Sequence, residues 1–160
     1  MADINNKVKT VCSFYASEWH LVTMLLPNID KEINKGIRIT TILENDVEEN
    51  MEILLKKLNL KNTERILGIG WNKRELVNIE KLINDNEWII ISGTVEYINN
   101  VHKMIEENIV INKNITILDC YDVNECKPEI KRILNEHDKV LNTAGEKDKD
   151  EYITTIKIAN

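Results

Sequence analysis

Short apolar runs rich in β-branched residues recur along this chain, separated by longer stretches whose apolar residues fall three and four apart. That alternation marks βαβ units around a parallel sheet. The runs predict strands at Val8 to Phe14, Ile37 to Leu43, Arg65 to Ile69, Trp88 to Ser92 and Ile115 to Asp119, each ahead of a helix, and a last strand at Tyr152 to Ile158. Crossovers between parallel strands are almost always right-handed. The expected fold is therefore an α/β, three-layer, open and mostly parallel sheet with helices on both faces, Rossmann-like in kind. Strand order stays open, and the C-terminal strand is the candidate for an antiparallel edge.

The first helix is expected from about Glu18 to Lys35, capped by Ser17, with Leu21, Met24, Leu25, Ile29 and Ile33 on one stripe and Gly36 at its end. Pro27 lies inside it and should kink or divide it. Val47 to Leu58, Lys73 to Ile83 and Val95 to Ile109 repeat apolar residues at helical spacing and read as sheet-covering helices. Pro128 suits the first turn of a fifth, whose apolar face is Ile130, Ile133, Leu134, His137 and Leu141. Met1 to Asn6 and Ala144 to Glu151 read as flexible, the latter as a charged loop.

With 160 residues, 42% of them hydrophobic and 30% charged, the chain matches one domain able to bury a core without disulfides or a metal. A net charge of −6 repels a polyanion, and Lys and Arg are scattered among Asp and Glu from Lys31 to Lys73 and from Lys127 to Lys157. Direct nucleic-acid binding is not expected. The start is polar, and no apolar run approaches the roughly 18 residues needed to cross a bilayer. Cys12, Cys120 and Cys126 fit no disulfide framework. A cytoplasmic chain with free thiols is the expectation.

Ligands of open α/β sheets bind beyond the carboxyl ends of the strands. The junctions there are Tyr15-Ala16-Ser17-Glu18-Trp19-His20, Gly70-Trp71-Asn72-Lys73, Gly93-Thr94-Val95-Glu96-Tyr97 and Cys120-Tyr121-Asp122. Tryptophans and tyrosines thus gather at one end of the sheet, although aromatics are only 5% of the chain. Aromatic walls with a few polar groups are the usual form of a small-molecule site. The competing reading is that Trp19 and Trp71 roof the sheet edge or pack under loops.

Motifs for chemistry are incomplete. A phosphate loop is absent, and Gly68-Ile69-Gly70 lacks the third glycine of a dinucleotide fingerprint. Ser92-Gly93-Thr94 opens a helix, where it can hold an anion or serve only as cap and tight turn. Asp119 resembles the acidic end of a nucleotide-binding strand but has no lysine-bearing loop to work with. Cys120, Asp122, Cys126 and His137 fit no zinc spacing. His137 and His102 fall on apolar helical faces and read as core, leaving His20 as the acid-base candidate. Ser17, His20 and Asp122 lack a nucleophile elbow to organise them as a triad. No cofactor is implied.

The segments Val11-Cys12-Ser13-Phe14-Tyr15-Ala16-Ser17-Glu18, Leu25-Leu26-Pro27 and Asn34-Lys35-Gly36, with Ser92-Gly93-Thr94-Val95-Glu96-Tyr97, Cys120-Tyr121-Asp122, Ile133-Leu134 and His137 downstream, resemble the MEDS domain, the sensory domain of methanogen and methylotroph regulators. Thr10 stands where that family has a histidine and Asp138 where it has a proline. Its Gly-Glu-Met segment is altered here, and Asn45 to Glu87 matches poorly and is shortened. The resemblance implies a RecA-like fold without a working phosphate loop, used to sense small ligands in transcription regulators and signalling proteins.

The leading expectation is a non-catalytic sensory domain. Tyr15, Trp19, Trp71 and Tyr121 would wall its site, and Ser17, Glu18, Asn72, Ser92, Thr94 and Asp122 would orient a small molecule, with Gly70, Gly93 and Glu96 beside them. Its partners would be that ligand and a signalling or regulatory protein or a second copy of the chain, with no membrane involved. The alternatives are a protein-interaction module with a vestigial pocket, and an enzyme with Gly68 to Lys73 and Gly93 to Glu96 facing a nucleotide or cofactor.

Overall fold

The computed structural model describes residues 7–151. In chain order they form β1 (Val8–Tyr15), α1 (Glu18–Asn34), β2 (Ile39–Leu43), α2 (Glu48–Lys57), α3 (Thr63–Ile69), α4 (Ile79–Asn84), β3 (Trp88–Gly93) and α5 (Val95–Asn108). There follow β4 (Ile115–Asp122), α6 (Val123–Cys126), a 3₁₀ turn at Lys127–Glu129, α7 (Ile130–Glu136), β5 (Lys139–Asn142) and β6 (Gly145–Lys147). The sheet order is β2-β3-β4-β1-β5-β6, with β5 and β6 antiparallel and every other neighbouring pair parallel. This is the expected three-layer, Rossmann-like α/β architecture. The antiparallel edge is β6; the strand expected at Tyr152 to Ile158, like Met1 to Asn6, lies outside the described residues. Among the described residues no helix is long and apolar enough to cross a membrane.

Strands buried on both faces need apolar side chains at successive positions. β2 and β3 are accordingly buried along their whole length. Val11, Tyr15, Leu43, Ile90, Leu118 and Cys120 face α1, α2 and α3 in one core, whereas Cys12, Phe14, Ile42, Ile91, Ile117 and Tyr121 face α4, α5 and α7 in the other. β1 leaves through α1 on the first face and β4 through α6 and α7 on the second. β1 and β4 are neighbours paired from Val8↔Ile115 to Tyr15↔Asp122. Their carboxyl ends are therefore the topological switch point, where crossovers diverge and leave a crevice.

Four expectations are corrected. Arg65 to Ile69 is not a strand but the body of α3. Five residues with apolar Ile66, Leu67 and Ile69 do not distinguish a strand from a buried helical turn. The tertiary setting decides: Asn62 at the helix start donates to Asp30 and Asn34 (2.9 Å each), and the Trp71 indole caps Ile66 O at 2.7 Å. The helix expected from Lys73 is confined to α4. Lys73 N donates to Asp46 (2.6 Å), Arg74 turns back to Ile69 O (3.3 Å), and Asn78 at φ +59° breaks helical continuity. The last helix stops at Glu136, because Asp138 N donates to Thr10 O (2.9 Å) and the chain then pairs with β1. Leu141 thus belongs to β5 and packs in the core opposite Val140, as strand alternation requires. Gly145–Lys147, within the stretch read as a loop, is β6.

α1 is not divided at Pro27, and Asn28 Nδ2 adds a bond to Met24 O (2.9 Å) beside the proline. Gly36, at φ +84°, ends that helix as expected.

Candidate functional site

In β4, Ile115, Ile117, Asp119 and Tyr121 all point to the second face, so a carboxylate is carried into an apolar layer. Asp119 is 1% exposed. A buried charge needs partners, and two histidines supply them. His102 of α5 places Nε2 2.8 Å from both carboxylate oxygens, and His137, at the end of α7, places Nε2 2.7 Å from Oδ2. His137 Nδ1 lies 2.6 Å from Ile133 O. A carbonyl only accepts, so Nδ1 donates there, while Nε2 faces the carboxylate.

The electrostatics agree with an ionised carboxylate. Burial pushes the Asp119 pKa up, but the hydrogen bonds and charges of His102 and His137 outweigh it and the net shift is downward. For His102, burial works against the charged ring, and the Asp119 hydrogen bond and charge overcome it, with Glu106 adding to them, so its pKa rises. Tyr121 stacks on Phe14 and meets His137 edge-on, with ring centroids 6.0 Å apart in both pairs. Burial first, then the Asp119 charge, raises its phenol pKa and keeps it neutral.

Over this array, between α5 and α7, lies a cavity of about 400 Å³ lined by Thr10, Asn99, His102, Lys103, Glu106, Asp119, Tyr121, Glu136 and His137. Its far wall is fixed by the chain reversal into β5, where Thr10 N donates to Asp138 Oδ2 at 2.9 Å and Lys149 Nζ donates to His137 O at 3.2 Å. Among the described residues no group of three His, Cys, Asp or Glu side chains is placed to hold a metal ion.

Part of the site expected from sequence comes together at the switch point. Tyr15 pairs with Asp122, Gly93 with Tyr121 and Ser92 with Cys120. Burial raises the Tyr15 phenol pKa, and Asp122, Cys120, Glu44 and Glu18 add to the effect. The backbone amides at these ends are occupied, however. Thr94 N donates to Glu44 Oε1 (2.8 Å), and Gly93, at φ +152°, leaves space for that carboxylate. Ala16 N donates to His20 Nδ1 (2.9 Å), and Ser17 accepts from His20 N (3.1 Å). Asp122 caps Asn124 N at 3.0 Å.

The remaining expected residues are dispersed. Trp71 is 0% exposed and belongs to the first-face core, so its indole presents no surface to a ligand in this conformation. Gly70 accepts a bond from Thr41 through its carbonyl (2.6 Å), and exposed Asn72 donates to Glu48 (2.9 Å). Ser92 is buried, Glu18 and Glu96 are exposed, and Trp19 is 47% exposed on α1. The sequence reading passed over Glu44 and Asp46, which occupy backbone amides here, and over His102, Asp119 and His137, which join across the second face. The available signal was an ionisable residue at a core-facing position in each of α5, β4 and the end of α7. No family model, curated protein or solved structure matches the chain.

Proposed function

We propose that this chain is a sensory or regulatory domain that binds a small molecule without transforming it and signals through a partner protein or a second copy. The observation that carries this reading is the cavity between α5 and α7, floored by the His102–Asp119–His137 array and walled in part by Tyr121. It is concave, mixed in polarity and set on rigid elements, as ligand sites are. It lies on the second face, reaching from Tyr121 back to Thr10 near the start of β1 rather than at the strand ends, and only Tyr121 belongs both to it and to the strand-end group. The MEDS-like segments add support, since Tyr121 and His137, two residues of that resemblance set apart in sequence, both line it. A nucleotide enzyme is disfavoured because Glu44, His20 and Asp46 hold the amides of Thr94, Ala16 and Lys73 that phosphates would need.

A thermal-shift screen of small acids, amines, alcohols, one-carbon compounds and nucleotides tests this, because a ligand that prefers the folded chain raises the melting temperature. Asn99, exposed on α5 and lining the cavity, can be changed to Trp to fill it. Hits should vanish in Asn99→Trp. Hits that survive it but are lost in Asp122→Ala would move the site to the strand ends. A screen without hits would favour an interaction module, for which the half-exposed Trp19 is the natural contact.

A further inference from the structure

Three polar groups at this cavity are left without partners among the described residues. His102 Nε2 is committed to Asp119, and Nδ1 of the same ring has no hydrogen bond. The Tyr121 ring is packed against Phe14 and His137, and its hydroxyl, which is not sealed from the cavity, has no hydrogen-bond partner among the described residues. Lys103, the next residue after His102, has no ion pair, although Glu106 lies one turn further along α5. All three residues line the same cavity, with the amide of Asn99 beside them.

The ammonium can only donate, and the un-ionised phenol has a hydrogen to give. His102 depends on its charge. Because an ionised Asp119 accepts, Nε2 keeps its hydrogen in both forms; Nδ1 is then a bare lone pair on the neutral ring and a donor on the imidazolium. An anionic atom against Nδ1 therefore requires the charged ring. We propose, building on the cavity as the ligand site, that it takes a small carboxylate together with one proton from solvent, held on His102 Nδ1.

The surrounding charges select the class. Asp119 lies between two imidazole rings, and Glu136 is bound to Arg132 (3.2 Å). On the β1 side Asp138 is held by Thr10, and Cys12, pushed up to about 12 by burial and then by Asp119, is a neutral thiol. Lys149 donates to the His137 carbonyl. What remains facing the cavity is Lys103 against Glu106, close to balance, so one added proton suits a monoanion. A phosphate dianion would meet one lysine and no arginine among the lining residues. A carboxylate that also carries an ammonium, as an amino acid does, has Glu106 to receive it.

The test is titration of the full chain, with ¹⁵N-labelled histidine, by acetate, glycine, ethylamine and inorganic phosphate at several pH values from about 6 to 8.5 and constant ionic strength. Acetate or glycine should saturably move His102 Nδ1 toward its imidazolium shift. Its Kd should rise toward about tenfold per pH unit above the His102 pKa of the unliganded chain. Tighter glycine identifies an amino acid and tighter acetate a simple acid. His102→Gln should lose the pH dependence, and Lys103→Met, a surface change, should weaken the carboxylate at every pH. The proposal is overturned by failure of both carboxylates to saturate, by tighter binding of ethylamine or phosphate, or by an affinity that stays flat with pH. A neutral or cationic hit from the screen that Asn99→Trp abolishes would sink the carboxylate and leave the cavity as the ligand site. Absence of any ligand sensitive to Asn99→Trp would sink both.

Discussion

Changing Asp119 to Asn keeps the side-chain shape and removes the charge at the centre of the array. In the parent, both carboxylate oxygens accept, from His102 at 2.8 Å and from His137 at 2.7 Å. The amide offers one acceptor and one donor, so one ring meets an N–H where it needs an oxygen. Removing one partner of a buried charge pair costs about 3–5 kcal/mol. The partial exposure of His102, 26% for its side chain, puts the expectation toward the lower end. At roughly 2–4 °C per kcal/mol for a chain of 160 residues, the melting temperature should fall by about 6–20 °C. Thermal unfolding measures that fall, and urea unfolding near pH 6 and pH 8.5 the free energy, both followed by far-UV circular dichroism. The pH dependence has a definite sign. The folded pKa of His102 lies above its ordinary 6.5, so its contribution is full below 6.5 and is lost as pH rises through the folded value. Asp119 is depressed below 3.8, so its contribution is held above 3.8 and is lost as pH falls through the folded value. The parent should therefore lose stability toward pH 8.5 and Asp119→Asn should not show that loss. A variant within about 1 kcal/mol of the parent at pH 6, or one with the same pH slope, would refute the ionised array.

Trp71→Phe removes the indole bond to Ile66 O and some volume from the core, so it should cost about 1–3 kcal/mol in urea unfolding while leaving ligand affinity unchanged. A selective loss of affinity would return Trp71 to the site. Gly93→Ala drives a Cβ to 2.5 Å from Glu44 Oε1 at φ +152° and should destabilise by about 1–3 kcal/mol. Glu44→Ala in the same chain should relieve the clash but not the backbone strain, so partial recovery is expected and full recovery would show that strain is negligible. Burial raises the thiol pKa of Cys12 and Cys120 to about 12 and of Cys126 to about 11. All three should resist a disulfide reagent at pH 8 in the folded chain and react in urea; a fast-reacting thiol in the folded state would contradict their burial.

The contrast between fold and site follows from which interactions are local. β1, β2, β3 and β4 were legible because strands buried on both faces require continuous apolar runs, and Trp88 to Ile91 can hardly be read otherwise. Arg65 to Ile69 failed because its helical form depends on Asp30, Asn34 and Trp71, partners outside any short window. β5 failed for a similar reason: Lys139–Asn142 continues the apolar period of α7, and only pairing with Val11 and Cys12 turns it into a strand. The site was missed by treating each ionisable residue alone. His102, Asp119 and His137 were each assigned to a core-facing position or set aside for want of a motif. An ionisable group inside an apolar layer cannot stand alone, because leaving it unpaired costs several kcal/mol. Three of them on elements packed on one face therefore require one another. Right-handed winding puts the β3-to-β4 crossover on the second face, and because the chain moves on in the same direction from β4 past β1 to β5, the same rule brings α7 to that face as well. What sequence could not supply was the phase of β4, on which the face occupied by Asp119 depends. A shift of one residue would have turned its carboxylate toward α1 and away from both histidines.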